Sequence, residues 1–98
     1  MFLAKVVGTV VATRKHQAFH GSKLLLLQPL VAQERTLVPS GGSVVAIDTL
    51  GAGLDELVMF TQGSSARLAA QTKDTPVDAI IVGIVDRVKM DGTELERP

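Results

Sequence analysis

Two histidines, His16 and His20, are the side chains in this sequence best suited to bind a metal ion, and they stand four positions apart. On a helix that spacing would bring both imidazoles to one face, and zinc sites use such ligands in larger sets. Here the intervening residues are typical of a loop, cysteine is absent, and no third ligand is evident nearby. We therefore interpret them as loop histidines and predict neither a metal nor a cofactor.

Candidate nucleophiles and acids are equally poorly supported. Ser64 and Ser65 follow Gly63 and precede Arg67, but they lack the G-x-S-x-G context of a hydrolase nucleophile. We interpret one serine as a helix cap and Arg67 as a partner in a structural hydrogen bond or ion pair. The carboxylates are scattered, without the close pair that acid–base catalysis by two carboxyl groups requires. The sequence therefore predicts that the protein is not an enzyme.

The glycine motif Gly51-Ala52-Gly53 invites comparison with phosphate-binding loops. A dinucleotide fingerprint places a third glycine three residues on, where a strand turns into a helix. In this chain that position is Glu56, and the following residues favour a strand. The motif instead predicts a tight turn in which glycine supplies a positive φ.

Composition argues against a nucleic-acid partner. The chain has ten basic and ten acidic residues, and its aromatic residues are three phenylalanines. A single-strand-binding module of the OB type uses a basic groove with stacking aromatic side chains. Such a module, for a nucleic acid or a small ligand, remains the alternative reading.

The apolar content is high for a domain of 98 residues, at 46% hydrophobic. The longest apolar stretch, Leu24–Ala32, is interrupted by Gln28 and Pro29, whereas a membrane-spanning helix needs about 20 apolar residues. The N-terminal residues do not resemble a signal peptide. We therefore expect a cytoplasmic protein without a membrane partner.

The segments that carry or flank the candidate residues are mostly predicted to be strands. Short runs rich in Val, Ile and Thr, bounded by Gly and Pro, predict strands at Leu3–Thr13, Ser22–Val31, Ser43–Asp48, Glu56–Thr61 and Asp78–Val88. Residues 32–42 are predicted to be a turn or loop, Gly63–Gln71 one short helix, and residues 91–98 a polar tail. The expected fold is all-β: one domain over 1–98, in which about 1–90 form a small five-stranded closed barrel.

The first predicted strand is apolar on one face and half apolar on the other, and the last is apolar on both faces. Some of Val7, Val11, Ile81 and Val85, or their opposite-face neighbours, must therefore point away from the barrel interior. A large exposed apolar strip is unusual for a monomer, which favours burial against other copies of the chain. Alternatively, the chain's own helix and tail cover the strip.

Three blocks of sequence, in a fixed order and spacing, carry a family resemblance. They are KVVGTVVATRK at 5–15 with GSKLLL at 21–26; AID at 46–48 with GAG at 51–53, ELV at 56–58 and GSSAR at 63–67; and PVDA at 76–79 with GIVD at 83–86. Together they resemble the vertex proteins of bacterial microcompartments, a family that includes the carboxysome and ethanolamine-utilisation vertex proteins. Two departures are Asp55, where the family often has Gly, and Ser65, where it often has Ala.

The resemblance implies an OB-like barrel and a homopentamer that caps the vertices of a polyhedral shell in the cytoplasm, with facets built by hexagonal shell proteins. It implies no catalytic residues. Its motifs suggest subunit contacts or the central opening for seven residues: Gly51, Ala52, Gly53, Gly63, Ser64, Ser65 and Arg67. A core or interface strand is expected at Val82, Gly83 and Ile84. The tail and the 33–42 loop are expected to vary among members.

Overall fold

The segments rich in Val, Leu and Ile form strands in the computed structural model, which describes residues 1–13, 23–63 and 78–98. In chain order the strands are β1 Phe2–Val10, β2 Lys23–Gln33, β3 Thr36–Pro39, β4 Val44–Asp48, β5 Leu57–Gln62, β6 Ala79–Val85, β7 Lys89–Met90 and β8 Thr93–Glu94. The all-β class is confirmed, since the residues in these ranges form strands and turns without a helix. Of the helix predicted at Gly63–Gln71, Gly63 lies in a turn and residues 64–71 lie outside the described ranges.

Five strands are paired into a closed ring. The hydrogen-bonded order is β1-β5-β6-β4-β2, and β2 also pairs with β1. Neighbours run antiparallel except β4 and β6, which meet in parallel at Ile47 and Ile80. Closure leaves these five strands without a free edge in the circuit, which protects them from pairing with other chains.

Strand β3 lies outside the ring and was missed by the sequence prediction, which assigned residues 32–42 to a loop. It folds back along the far end of β2, with Gln33 opposite Thr36. The two turn residues, Glu34 and Arg35, both have positive φ, at 49° and 68°. Hairpin turns of this kind usually carry Asn or Gly, so the usual sequence signal was absent.

Pro29 lies where β2 changes partners on one of its sides. Leu27 is the last β2 residue paired with β4, and Leu30 is the first paired with β3. Pro29 has no N–H to donate, so it is tolerated at such an interruption. Its carbonyl accepts a hydrogen bond from the Ser40 N–H at 3.0 Å.

Strand β1 is irregular next to Gly8. The β1–β2 register shifts between Val6 and Gly8, so that Val7 is left without a partner on β2. A similar shift between Met59 and Phe60 leaves Val82 unpaired in β6. Such bulges increase the twist that strands need in order to close a ring.

The ring interior is filled by one apolar cluster. Alternate residues of each strand point inward, and the cluster's buried members are Ala4, Val6, Leu25, Leu27, Ala46, Ala52, Val58, Phe60, Ala79 and Ile81. Ile81, which was considered as an outward residue, is therefore a core residue, only 1% exposed. The contact that supports this assignment is its pairing with the inward Phe60.

The chain's own C-terminal residues cover part of the ring's outer face. Leu95 is buried in a second cluster with Leu30, Leu37 and Leu57, and Val85 packs against the same cluster. Backbone hydrogen bonds hold residues 95 and 96 against the rest of the fold. One of them runs from the Leu37 N–H to the Glu96 carbonyl at 2.9 Å. The expectation that the outer apolar strip is left for other subunits is thus wrong for this half of it.

The other part of the strip is exposed in a single chain. Val7 is 42% exposed and Val11 is 92% exposed. Ile84, the neighbour of Val85, is 39% exposed. Val11 lies beyond the end of β1, and Ile84 pairs with the interior residue Val58 at the loop end of the ring, so of these three only Val7 lies on a ring strand as an exposed aliphatic residue that the expectation named.

Candidate functional site

The loop 49–56 joins β4 to β5 at one end of the ring and is organised around a buried carboxylate. The Asp48 side chain is fully buried. Its Oδ1 accepts hydrogen bonds from the backbone N–H groups of Leu50 at 2.9 Å and Gly51 at 3.2 Å. Its Oδ2 accepts the N–H of Ala52 at 2.8 Å. Gly51 has a φ of 87°, which confirms the predicted tight turn with positive φ.

Lys23 balances this carboxylate. Its Nζ lies 3.9 Å from Asp48 Oδ2 and donates a hydrogen bond to the Ala52 carbonyl at 2.9 Å. The Lys23 side chain is half exposed, so the ammonium keeps access to water. A buried carboxylate with several N–H donors and a nearby cation is satisfied, as expected for a residue that holds a loop in place.

The second half of the loop is tied to β1. The Asp55 N–H donates to the Val6 carbonyl at 2.9 Å, and the Val6 N–H donates to the Glu56 carbonyl at 3.0 Å. Glu56 Oε1 accepts the Gly53 N–H at 2.6 Å. The loop is thus held at both ends and in its middle.

Asp55 is the strained point of this loop. Its φ is 69°, in the left-handed region that glycine adopts without penalty. The Asp55 carboxylate lies 3.6 Å from Lys5 Nζ and is largely exposed, so this ion pair contributes little to stability.

The loop presents apolar side chains in two directions. Ala52 is completely buried and belongs to the cluster inside the ring, so its methyl group closes this end of the core. Leu50 and Leu54 instead are 49% and 66% exposed. The result is a loop fixed by several hydrogen bonds, with two leucines exposed to solvent.

The other predicted site residues are distributed as follows. Gly63 ends β5 in a turn with a φ of 65°, and its N–H donates to the Asp78 carbonyl at 2.8 Å. Ser64, Ser65 and Arg67 lie outside the described residues.

The predicted interface strand is β6. Val82 packs beside a small outer cluster of Ile47 and Ile80, whereas Ile84 is exposed. A side chain on Gly83 would place its Cβ 2.8 Å from the terminal methyl of Met59, so the backbone and Met59 approach closely there.

The opposite end of the ring carries an apolar pocket of about 300 Å³. Phe2 and Phe60 form one wall, with ring centroids 5.4 Å apart. The remaining lining residues are Pro29, Leu30, Val31, Ser40, Gly41, Gly42, Val44 and Gln62. Sequence reasoning did not find this pocket, because its residues come from four separate segments.

Side chains that could bind a metal ion are dispersed in the described ranges. Within residues 1–13, 23–63 and 78–98, no three His, Cys, Asp or Glu side chains come together as metal ligands. His16 and His20 lie outside these ranges. The same residues include no helix that is long and apolar enough to cross a membrane.

In the sequence, Asp48 is the last residue of the AID motif at 46–48, which predicts no role for its side chain. An Asp that ends a strand two residues before a leucine-glycine turn has a recognisable signal, since Asp often accepts N–H groups of the following turn. Its burial was not predictable, because that depends on how β2 and β4 pair.

The chain belongs to the family described as "Ethanolamine utilisation protein EutN/carboxysome", whose model matches residues 1–86. The family resemblance is therefore confirmed. Among its relatives is the microcompartment shell vertex protein GrpN of Rhodospirillum rubrum, 44% identical over 91% of this chain and 97% of the relative. The carboxysome shell vertex protein CcmL of Gloeobacter violaceus is 43% identical over 97% of this chain and 92% of its own length.

Solved structures agree with this assignment. An ethanolamine utilization protein EutN has a TM-score of 0.87 and 38% identity, and the match covers 100% of this chain and 99% of that one. The pentameric microcompartment shell protein GrpN from Rhodospirillum rubrum has a TM-score of 0.79 and 43% identity, over 92% of this chain and 99% of that one.

Proposed function

We propose that this chain is a structural protein, without catalytic activity, whose homopentamer caps the vertices of a polyhedral bacterial microcompartment in the cytoplasm. The observation that carries the proposal is the near-full-length match to shell vertex proteins, including a pentameric one that is 43% identical in its solved structure. A subunit of this kind needs a well-ordered body and apolar surface outside its own core. The closed strand ring and the hydrogen-bonded loop 49–56 provide both.

The closed five-strand ring suits an OB-like barrel, and we infer that class for the subunit. In a ring of identical subunits each copy presents two different surfaces, one to each neighbour. Rigid subunits favour closure with a fixed number of copies, because the angle between neighbours is then fixed. The hydrogen-bonded loop 49–56 supports such rigidity at one end.

We place the subunit contacts or the central opening at the motif residues. Gly51 is exposed, and Gly53 is partly buried beside Glu56 Oε1, which is 3.2 Å from an added Cβ. Ala52 is buried within its own chain, so it acts by shaping the loop. We likewise place the Gly63-Ser64-Ser65-Ala66-Arg67 motif at the subunit contacts or the central opening.

Hexagonal shell proteins are the proposed partners at the vertex. Hexagonal tiles alone form flat or tubular layers, so a closed polyhedral shell needs five-fold units at its corners. The test is to supply this chain to Rhodospirillum rubrum cells that lack GrpN and to examine their microcompartments by electron microscopy. Closed polyhedra are expected, and shells that remain open or elongated despite abundant folded protein would contradict the capping role.

A further inference from the structure

We propose that the two ends of the ring are the complementary halves of the contact between neighbouring copies. Leu50 and Leu54 on the loop of one copy would enter the apolar pocket beside Phe2 and Phe60 of the next. This inference rests on the proposed pentamer and names the surfaces that build it. The occupant of the pocket is thus a second copy of this chain.

The first argument is the placement of the two features. Val44 lines the pocket, whereas Asp48, four residues further along β4, anchors the loop. At about 3.3 Å per residue this separates them by roughly 13 Å along the strand. Strands β1 and β5 agree, since Phe2 pairs with Phe60 at the pocket and Lys5 pairs with Leu57 next to the loop.

The second argument is complementarity of shape and polarity. One end projects two exposed leucines on a loop fixed by the Asp48 carboxylate. The described residues at the other end form a concave, mostly apolar pocket with Gly42 in its lining. A head-to-tail ring requires two such non-identical surfaces on each subunit, whereas a two-fold dimer would require one surface that complements itself.

The third argument is the apolar surface surrounding the loop. Ile84 pairs with Val58 at the loop end of β6, and it is 39% exposed. Val7 follows Val6, whose carbonyl binds the loop at Asp55, and Val7 is 42% exposed. Exposed aliphatic side chains at one end of the ring are the expected centre of an interface.

Two variants test the two halves separately. Leu54→Asp places a charge on the loop surface, and this variant is expected to be a monomer where the wild type forms a ring of subunits. Gly42→Trp is expected to do the same by filling the pocket: an added Cβ at Gly42 meets no atom within 4 Å, and its φ is not in the left-handed region. Met90→Asp, at an exposed residue of the β7–β8 hairpin, is the control that is expected to keep the ring.

Mixing the two monomeric variants gives the decisive result. Leu54→Asp keeps its pocket and Gly42→Trp keeps its loop, so one intact contact forms and native mass spectrometry should show a heterodimer that grows no further. Circular dichroism checks that each variant is folded. If Gly42→Trp does not fold, Val31→Lys at the pocket rim, where Val31 is 48% exposed, replaces it.

The possible outcomes separate this inference from the proposed function. If the wild type is a pentamer and the folded variants are pentamers as well, the contact surfaces are wrong and the vertex role stands. If the variants are monomers but their mixture gives no heterodimer, the loop does not fit the pocket and the inference is overturned. If the wild type itself is a monomer, both proposals fail.

Discussion

Ala52 donates its backbone N–H to the buried carboxylate of Asp48 over 2.8 Å, while its methyl group is completely buried inside the strand ring. One residue therefore connects the polar anchor of the loop to the apolar core. Loop conformation and core packing are consequently expected to change together when either is altered.

Removing the Asp48 carboxylate should destabilise the chain. Asp48→Ala leaves the N–H groups of Leu50, Gly51 and Ala52 without their acceptor. Hydrogen bonds to a charged group contribute roughly 1.5–3 kcal/mol each, and part of this is recovered when the freed N–H groups bond to water. We expect the free energy of unfolding to fall by about 3 kcal/mol, measured by urea denaturation at a fixed protein concentration.

The control for Asp48→Ala is Asp86→Ala, because Asp86 is exposed at the end of β6. Its unfolding free energy should stay within about 0.5 kcal/mol of the wild type. Equal stability of the two variants would show that the buried carboxylate does not hold the loop.

The C-terminal residues should stabilise the ring from outside. Leu95→Ala removes a side chain that is 3% exposed and packs with Leu30, Leu37 and Leu57. Burial of this kind predicts a loss of about 3 kcal/mol, whereas Met90→Ala at an exposed site should change little. Thermal unfolding at matched concentration measures both, and a small effect at Leu95 would mean that the tail does not cover the outer face.

The backbone strain at Asp55 should be visible in a pair of variants. Asp55→Gly and Asp55→Ala both remove the ion pair with Lys5, so the difference between them isolates the backbone. At a φ of 69°, Ala carries a penalty of roughly 1–2 kcal/mol that Gly avoids. Asp55→Gly is therefore expected to unfold at higher urea than Asp55→Ala, and coincident curves would refute the strain.

Substitutions at two nearby residues of β6, Ile84 and Val82, should have different effects on assembly and on folding. Ile84→Asp changes an exposed residue and is expected to dissociate the oligomer while the folded β signal in circular dichroism is kept. Val82→Asp changes a partly buried residue beside Ile47 and Ile80 and should lower the stability of the single chain instead. A normal oligomer for Ile84→Asp would remove β6 from the subunit contacts.

Much of the fold was predictable because it depends on local patterns. Alternation of apolar residues located all five ring strands to within a few residues at most ends. Strand β3 escaped because its turn uses Glu34 and Arg35 at positive φ, against the preference of their residue types. The burial of Leu95 was not predicted, because a lone leucine in a polar tail carries no periodic signal.

The site was predictable only in part, and for a related reason. The glycine motif correctly located a tight turn, since Gly51 needs its positive φ. The acceptor of that turn, Asp48, and its cation Lys23 come from different strands. Their meeting is fixed by the β2–β4 register, which pairs Lys23 with Asp48, and a register of this kind follows from the assembled sheet.

The mass of the purified full-length chain in solution, measured by native mass spectrometry, tests the central claim most directly. The account predicts one dominant particle of five times the 10.4 kDa chain mass, stable on dilution to low micromolar concentration. A monomer that persists at high concentration, with Leu54 and Ile84 still accessible to solvent, would contradict it.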